Sequence, residues 1–143
     1  SKLIKIQVEK EYGDIPAVEC IAGQLNQVFM NLIANAADAL EDGGTLWIRT
    51  RAVGEHAVCV EVADDGPGID PALVSRIFDP FFTTKEVGKG TGLGLSISYA
   101  IVQRHGGSLE VEDREGGGCV FRVVLPVTAP EEADPSAGDH KHD

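Results

Sequence analysis

The segment GKGTGLGL, residues 88–95, is the stretch of the sequence that says most about the fold and function of the chain. A glycine at every second position leaves backbone N–H groups free to surround phosphate oxygens, and the apolar period of residues 93–104 predicts a helix that begins there. No Gly-Lys-Ser/Thr ends the segment, and no glycine lies three positions after a Gly-x-Gly pair. A P-loop and a dinucleotide-binding turn are therefore both excluded. The segment predicts a phosphate-binding loop of another kind, with a flexible linker as the less favoured alternative.

Hydrophobic periodicity divides the flanking sequence into alternating strands and helices. Ile4, Ile6 and Val8 alternate with polar residues, which predicts that the first strand is half-buried. Gly54-Glu55 is a hairpin candidate between the next two strands. The predicted strands are 3–11, 45–53, 56–63, 108–113 and 119–125, with a further short extended stretch at 16–21; the predicted helices are 23–40, a short one after Pro71, and 93–104.

The composition predicts one soluble globular domain without a signal peptide. The chain has 143 residues and a formal net charge of −11, and such a surface would repel nucleic acid. The three cysteines, Cys20, Cys59 and Cys119, form no Cys-x-x-Cys pair, so they are interpreted as small buried apolar residues of a reducing compartment. Residues 1–127 are predicted to form the domain, and residues 128–143 an acidic, disordered tail.

The long predicted helix carries a polar face opposite its apolar stripe. Asn31, Asn35 and Asp38 are spaced i, i+4, i+7 and project together. A solvated face is the simpler explanation, but such faces are normally filled with Glu, Lys and Gln, and Asn is a poor helix former. Carboxamide oxygens suit a Mg²⁺ ion that already carries phosphate oxygens and waters. A metal site on this face therefore stands as the alternative.

Two further segments carry chemistry. In the first, a hydrophobic strand runs into Asp64, followed by Gly66 and Gly68, where a carboxylate can accept a hydrogen bond from an exocyclic amine such as that of adenine. An ordinary Asp-Gly turn is equally favoured on this segment alone. In the second, IFDPFFTTK at residues 77–85, three aromatic residues suggest a hydrophobic latch beside a moving segment. Lys85 is either a ligand for a terminal phosphate or a surface lysine.

Taken together, and in the order in which they occur along the chain, these four segments resemble the N, G1, F and G2 boxes of the GHKL ATP-binding superfamily. The wording of residues 77–85 and 90–95 is specifically similar to sensor histidine kinases, and the resemblance extends over about residues 24–126. It implies an α/β (α+β) two-layer sandwich with the Bergerat ATP-binding fold. In that fold about three helices cover one face of a mixed sheet, and a mobile lid closes over ATP.

The resemblance also implies a role for individual residues. Asn35 would be the Mg²⁺ ligand, Asp64 would contact the adenine amino group, and Asn31 and Lys85 would be catalytic. The implied ATP-binding residues are Asn31, Asn35, Asp38, Asp64, Gly66, Gly68, Ile69, Phe82, Thr83, Thr84, Lys85, Gly90, Thr91, Gly92, Leu93, Gly94 and Leu95. The chain departs from the pattern at Asp38-Ala39, where many kinases have a basic and an aromatic residue. It departs again at Cys119, where a threonine often helps to hold adenine and a thiol would bind more loosely.

The implied reaction transfers the γ-phosphate of Mg-ATP to a histidine on a separate dimerisation domain. None of the four histidines lies in a phosphoacceptor setting, so the acceptor is expected on that partner and this fragment is expected to be a cytoplasmic monomer acting upstream of a response regulator. The alternatives are a GHKL ATPase, a nucleotide-sensing module without activity, and a serine-kinase anti-sigma factor. Asn31 favours transfer over hydrolysis, because hydrolysing members typically have a glutamate there and an amide cannot take a proton from water.

Overall fold

A computed structural model describes residues 3–82 and 94–128 of the chain. A five-stranded sheet has the order β1-β2-β3-β5-β4, in which β1 pairs with β2 in parallel and all other pairs are antiparallel. The strands are β1 (Ile6–Tyr12), β2 (Gly44–Val53), β3 (Ala57–Asp64), β4 (Ser108–Asp113) and β5 (Cys119–Pro126); the helices are α1 (Ala22–Ala39), a 3-10 helix (Pro71–Arg76) and α2 (Gly94–Arg104).

The helices and one face of the sheet enclose a single hydrophobic core. Helix α1 contributes the buried stripe Leu25, Val28, Leu32 and Ala36, and α2 contributes Ile101 and Val102. Alternate residues of the strands, such as Val62 of β3 and Phe121 of β5, complete the same cluster. These alternating patterns confirm the predicted mixed sheet with helices packed on one face. The predicted tail, apart from Thr128, lies outside the described residues.

Two expectations about buried side chains were wrong, and the place of residues 16–21 became clear. Val8 is 47% exposed, because β1 lies at the edge of the sheet while α1 packs on β3 and α2 on β4. Ile4, which precedes β1, is 44% exposed. Cys59 and Cys119 are buried as predicted, but Cys20 is exposed. The extended stretch 16–21 does not join the sheet; the Glu19 N–H donates to the carbonyl oxygen of Val127, just beyond β5, at 2.9 Å.

The other face of the sheet carries a row of alternating charges. Arg122 donates from Nε to Glu61 and from Nη2 to Glu112, both at 2.7 Å, and Arg49 donates from Nε to Glu11 at 3.2 Å. The two acceptor carboxylates raise the pKa of the Arg122 guanidinium further above its usual range. Because this face is charged and satisfied by cross-strand pairs, one layer of helices is enough to cover the apolar side of the sheet.

His105 joins the two helices from inside the core. It is 2% exposed; its Nδ1 lies 2.9 Å from the Ile101 carbonyl oxygen, and its Nε2 accepts from the Ile21 N–H at 3.1 Å. A carbonyl oxygen only accepts and a backbone N–H only donates, so the ring is neutral with its hydrogen on Nδ1. Ile21 is the N-cap of α1 and has no side-chain cap bond of its own. The imidazole therefore ties the start of α1 to the end of α2.

We expect His105→Leu to lower the free energy of unfolding by about 2 kcal/mol, because the substitution keeps the buried volume but removes the acceptor for the Ile21 N–H. Urea unfolding followed by circular dichroism measures the change. Arg104→Ala, at the exposed neighbouring position, is the control and is expected to change stability by less than about 0.5 kcal/mol. Equal stability of the two variants would contradict a structural role for the imidazole.

Candidate functional site

The carboxylate of Asp64 lies buried at the end of β3. The residue is 1% exposed, its Oδ1 accepts from the Gly66 N–H at 2.9 Å, and its Oδ2 accepts from the Cys119 thiol at 3.4 Å. Burial raises the pKa of Asp64, an effect that these two donors partly offset. Burial and the neighbouring carboxylate raise the pKa of Cys119 to about 12, so the thiol keeps its proton at neutral pH and donates it. Cys119 and Asp64 are thus joined by a hydrogen bond between β5 and β3.

Glycine residues allow three backbone segments to meet beside Asp64. A Cβ on Gly66 would lie 2.7 Å from the Ala39 carbonyl oxygen at the end of α1, and one on Gly68 would contact the Gly118 carbonyl oxygen at 3.4 Å. At Gly118 a Cβ would overlap the carbonyl of Asp64 itself. The β4–β5 turn is thus part of the site, a role that was not predicted for it from the sequence. The run of three glycines at 116–118, directly before β5, was the available signal.

The polar face of α1 is not simply a solvated surface. Asn31 and Asn35 are half-buried, whereas Asp38 is exposed. The Nδ2 group of Asn31 donates to the Gly94 carbonyl oxygen and to the Ser98 hydroxyl, both at 3.2 Å. Ser98 is completely buried and was not among the predicted site residues; a small polar residue on the inner side of an amphipathic helix was the only hint.

The aromatic segment splits into an anchored and an exposed part. The Phe78 ring packs against Tyr99 of α2 and Phe121 of β5, with centroids 5.2 and 6.5 Å away. Phe81 is 73% exposed, and Phe82 is half-buried with the Arg76 guanidinium 5.3 Å from its ring centroid. Phe78 thus anchors the segment in the core. Seven predicted site residues lie outside the described residues: Thr83, Thr84, Lys85, Gly90, Thr91, Gly92 and Leu93.

Helix α1 connects the two parts of the site. Its Ala39 end faces Gly66 and the buried carboxylate, whereas Asn31 faces Gly94 at the start of α2. Eight residues separate these ends, which is about 12 Å along a helix that rises 1.5 Å per residue. Asn35 lies halfway between them. Ile69 and Leu95, also predicted, are half-buried against the core on either side.

The described part of the chain contains neither a metal-binding cluster of acidic, Cys and His side chains nor a membrane-spanning helix. No group of three or more His, Cys, Asp or Glu side chains in the ranges 3–82 and 94–128 is arranged to hold a metal ion. The Asn35 amide oxygen on α1 is a neutral hard donor of the kind that suits Mg²⁺. Neither α1 nor α2 combines the length and the apolar character needed to cross a bilayer.

Comparison with known proteins gives consistent matches. The family model described as "Histidine kinase-, DNA gyrase B-, and HSP90-like ATPase" matches residues 21–129. Sporulation kinase E of Bacillus subtilis is 42% identical over 128 residues, which are 89% of this chain and 17% of that protein. The two-component sensor PprA of Pseudomonas aeruginosa is 50% identical over 119 residues, 78% of this chain and 13% of that protein. The chain thus spans less than a fifth of the length of these two relatives.

Solved structures agree with the sequence matches. The nucleotide-free catalytic domain of the histidine kinase ThkA superposes with a TM-score of 0.77 at 39% identity, covering 89% of this chain and 82% of that domain. ThkA in complex with the response regulator protein TrrA superposes with a TM-score of 0.73 at 35% identity, covering 86% of this chain and 34% of the ThkA chain. The predicted fold is therefore that of a solved domain of nearly the same extent.

Proposed function

This chain belongs to the family of histidine kinase-, DNA gyrase B- and HSP90-like ATPases, and we propose that it is the ATP-binding catalytic domain of a sensor histidine kinase. In this proposal it transfers the γ-phosphate of ATP to a histidine on a separate dimerisation and phosphoacceptor domain. The observation that carries the proposal is the buried Asp64 carboxylate, set among glycine backbone about 12 Å along α1 from the Asn31–Gly94 contact. The three relatives named above, sporulation kinase E, PprA and ThkA, are kinases or two-component sensors, which favours phosphotransfer over the other family activities.

The base of the nucleotide is proposed to bind at the Asp64 end. A carboxylate only accepts hydrogen bonds, so Asp64 would accept one from the exocyclic amine of adenine and disfavour the keto oxygen of guanine. Gly66 and Gly68 let the backbone of Ala39 and Gly118 pack closely around this end of the site. The half-buried Ile69 offers the base an apolar contact. Specificity for ATP over GTP follows from this arrangement.

The phosphates are proposed to bind at the other end, where α1 meets α2. Asn35 would hold Mg²⁺, which would neutralise charge on the triphosphate, and Lys85 would add a point charge at the γ-phosphate. The other residues proposed on this side are Phe82, Thr83, Thr84, Gly90, Thr91, Gly92, Leu93, Gly94 and Leu95. Asp38, next to the Ala39 end of α1, is also proposed to bind the nucleotide. Phosphoryl transfer needs mainly positioning and charge neutralisation from the protein, so a general base is not required among these residues.

The histidines of the described residues support an acceptor on another domain. Both ring nitrogens of the buried His105 are engaged in hydrogen bonds, so it is not available for phosphorylation. His56 lies at the opposite end of β3 from Asp64, about 26 Å away at 3.3 Å per strand residue. Neither histidine is placed to receive a phosphate from the proposed site, which is consistent with transfer to a partner domain.

The remaining proposals concern the setting of the domain. We place residues 1–127 in the catalytic domain and 128–143 in a tail outside it, and we propose a monomeric fragment in the cytoplasm. The free Cys20, Cys59 and Cys119 support a reducing compartment. A response regulator is the proposed downstream partner, supported by the ThkA complex, and the net charge of −11 argues against a nucleic-acid ligand.

Calorimetric titration of the 143-residue chain with ATP, with Mg²⁺ and again with chelator, tests the proposal. We expect tighter binding with Mg²⁺, weak binding of GTP and no continuing heat from hydrolysis. Asn35→Ala should lose the gain in affinity from Mg²⁺ and lower phosphotransfer to a histidine domain supplied in trans by at least about 100-fold. Asn26→Ala, an exposed asparagine on the same helix, is the matched control.

Two outcomes would contradict these assignments. Retained Mg²⁺-dependent transfer in Asn35→Ala would show that the metal binds elsewhere. Continuing heat from the unmodified chain alone, with release of inorganic phosphate, would instead make the domain an ATPase.

A further inference from the structure

The contacts of Asn31 show whether this residue acts directly on the reacting atoms of the proposed reaction or acts through the residues that it holds in place. We propose that Asn31 is a positioning residue, which fixes the first turn of α2 to α1 through its carboxamide, so that its contribution to ATP use passes through Gly94 and Ser98. This inference rests on the proposed function, because its ligand is ATP. The contact of Asn31 with Gly94 and Ser98, which carries the inference, is present in the domain without any ligand. It replaces the expectation that Asn31 acts directly on the reacting atoms.

The orientation of the Asn31 amide follows from its partners. The Gly94 carbonyl oxygen can only accept, so the NH₂ group of the side chain must face α2. The same nitrogen lies 3.2 Å from the Ser98 hydroxyl oxygen, which takes its second hydrogen. Both amide hydrogens of Asn31 are thus used between the two helices. They are not available to donate to a phosphate or to a bound water.

Ser98 is a polar side chain with 0% exposure, so its hydroxyl can find a hydrogen-bond partner only inside the protein. A buried hydroxyl without a partner costs roughly 1–3 kcal/mol, so Ser98 and Asn31 satisfy one another inside the helix interface. An ionised carboxylate in the place of the amide has two acceptor oxygens and no hydrogen to donate, so it could not bond to the Gly94 carbonyl oxygen, which only accepts. The glutamate expected of hydrolysing relatives therefore could not make this contact, which gives a structural reason for asparagine here.

The contact holds together the two helices that the proposed phosphate side depends on. Asn35 lies one turn beyond Asn31 on α1, and Gly94 and Leu95 begin α2. When the helices are fixed to each other, the proposed metal ligand and the start of α2 keep a constant separation. Loss of the contact should therefore appear mainly as weaker ATP binding and leave the rate at saturating ATP nearly unchanged.

The test is a double-mutant cycle on the 143-residue chain with Asn31→Ala, Ser98→Ala and the double variant. We expect each single variant to weaken Mg-ATP binding about fivefold, the double variant to weaken it by no more than about tenfold, and the saturated transfer rate to stay within about twofold. Asn31→Asp keeps the shape but loses the donor, and should behave like Asn31→Ala. Ser98→Thr keeps the hydroxyl and should restore affinity. Asn26→Ala and Gln103→Ala, at exposed positions of α1 and α2, are the controls.

Hydrogen exchange without nucleotide gives a second measurement that does not depend on the proposed function. Asn31→Ala and Ser98→Ala should both speed exchange of the amides of residues 98–101, whereas the two controls should not. If Asn31→Ala lowers the saturated rate by 100-fold or more with affinity intact while Ser98→Ala has no effect, Asn31 is catalytic and the inference fails. If the unmodified chain binds no ATP, the proposed function fails. Unchanged hydrogen exchange in both Asn31→Ala and Ser98→Ala would, by itself, overturn the inference.

Discussion

Asp64→Asn is expected to lower ATP affinity by at least about 100-fold and, at neutral pH, to raise the stability of the ligand-free domain. The loss of binding follows from the hydrogen bonds already present. The Gly66 N–H requires an oxygen at the position of Oδ1, so the amide would place its NH₂ group where Oδ2 accepts from Cys119. A donor would then face the thiol and the proposed adenine amine, where an acceptor is needed.

The gain in stability follows from the raised pKa of Asp64. Because burial raises this pKa above the ordinary value of 3.8, the folded domain binds the proton more tightly than the unfolded chain does. Below about pH 3.8 the carboxyl is protonated in both states and the domain keeps the full benefit. As the pH rises through the folded pKa, that benefit is lost, because ionising the buried group costs free energy. Asparagine has no such cost.

Urea unfolding at pH 7 and near pH 3.5, together with ATP calorimetry, measures both effects. The stability advantage of Asp64→Asn should be present at pH 7 and absent near pH 3.5. Asp42→Asn, the same chemical change at an exposed position, should alter neither stability nor binding by much. Unchanged affinity and unchanged preference for ATP over GTP in Asp64→Asn would place the base pocket elsewhere in the domain.

The parts of the site that could be predicted from sequence are those whose chemistry is contiguous in the chain. Asp64, Gly66 and Gly68 follow one another at the end of a strand, and Asn31 and Asn35 share one helix face, so spacing alone brings each group together. Helix and strand positions were predicted for the same reason, because the apolar period changes clearly between 2 and 3.6 residues.

What the sequence could not predict depends on which segments meet across the fold. Gly118 and Ser98 reach the site only through strand pairing and helix packing, which join residues more than 50 positions apart in the chain. The exposure of Val8 has the same origin. Alternation shows which side chains share a face of β1, but only the position of that strand at the sheet edge explains why Val8 is exposed.

Gly118→Ala is expected to destabilise the domain by about 4 kcal/mol and to weaken ATP binding in the molecules that still fold. Gly118 has φ +94°, a conformation that L side chains rarely adopt, and its added Cβ would overlap the Asp64 carbonyl. Backbone, not a flexible side chain, stands in the way. The β4–β5 turn must therefore move, and it would displace Asp64 from its position beside Cys119.

Gly117→Ala separates the strain of a positive φ from the overlap with the Asp64 carbonyl. Gly117 has a similar φ of +115°, but a Cβ there would meet nothing within 4 Å. Only the conformational strain remains, so we expect a loss of about 1–2 kcal/mol and unchanged ATP affinity. Urea unfolding and ATP calorimetry on both variants measure the difference, which isolates the contact with Asp64. Equal effects of the two substitutions on stability and affinity would mean that the turn yields easily and that close packing at Gly118 does not position the carboxylate.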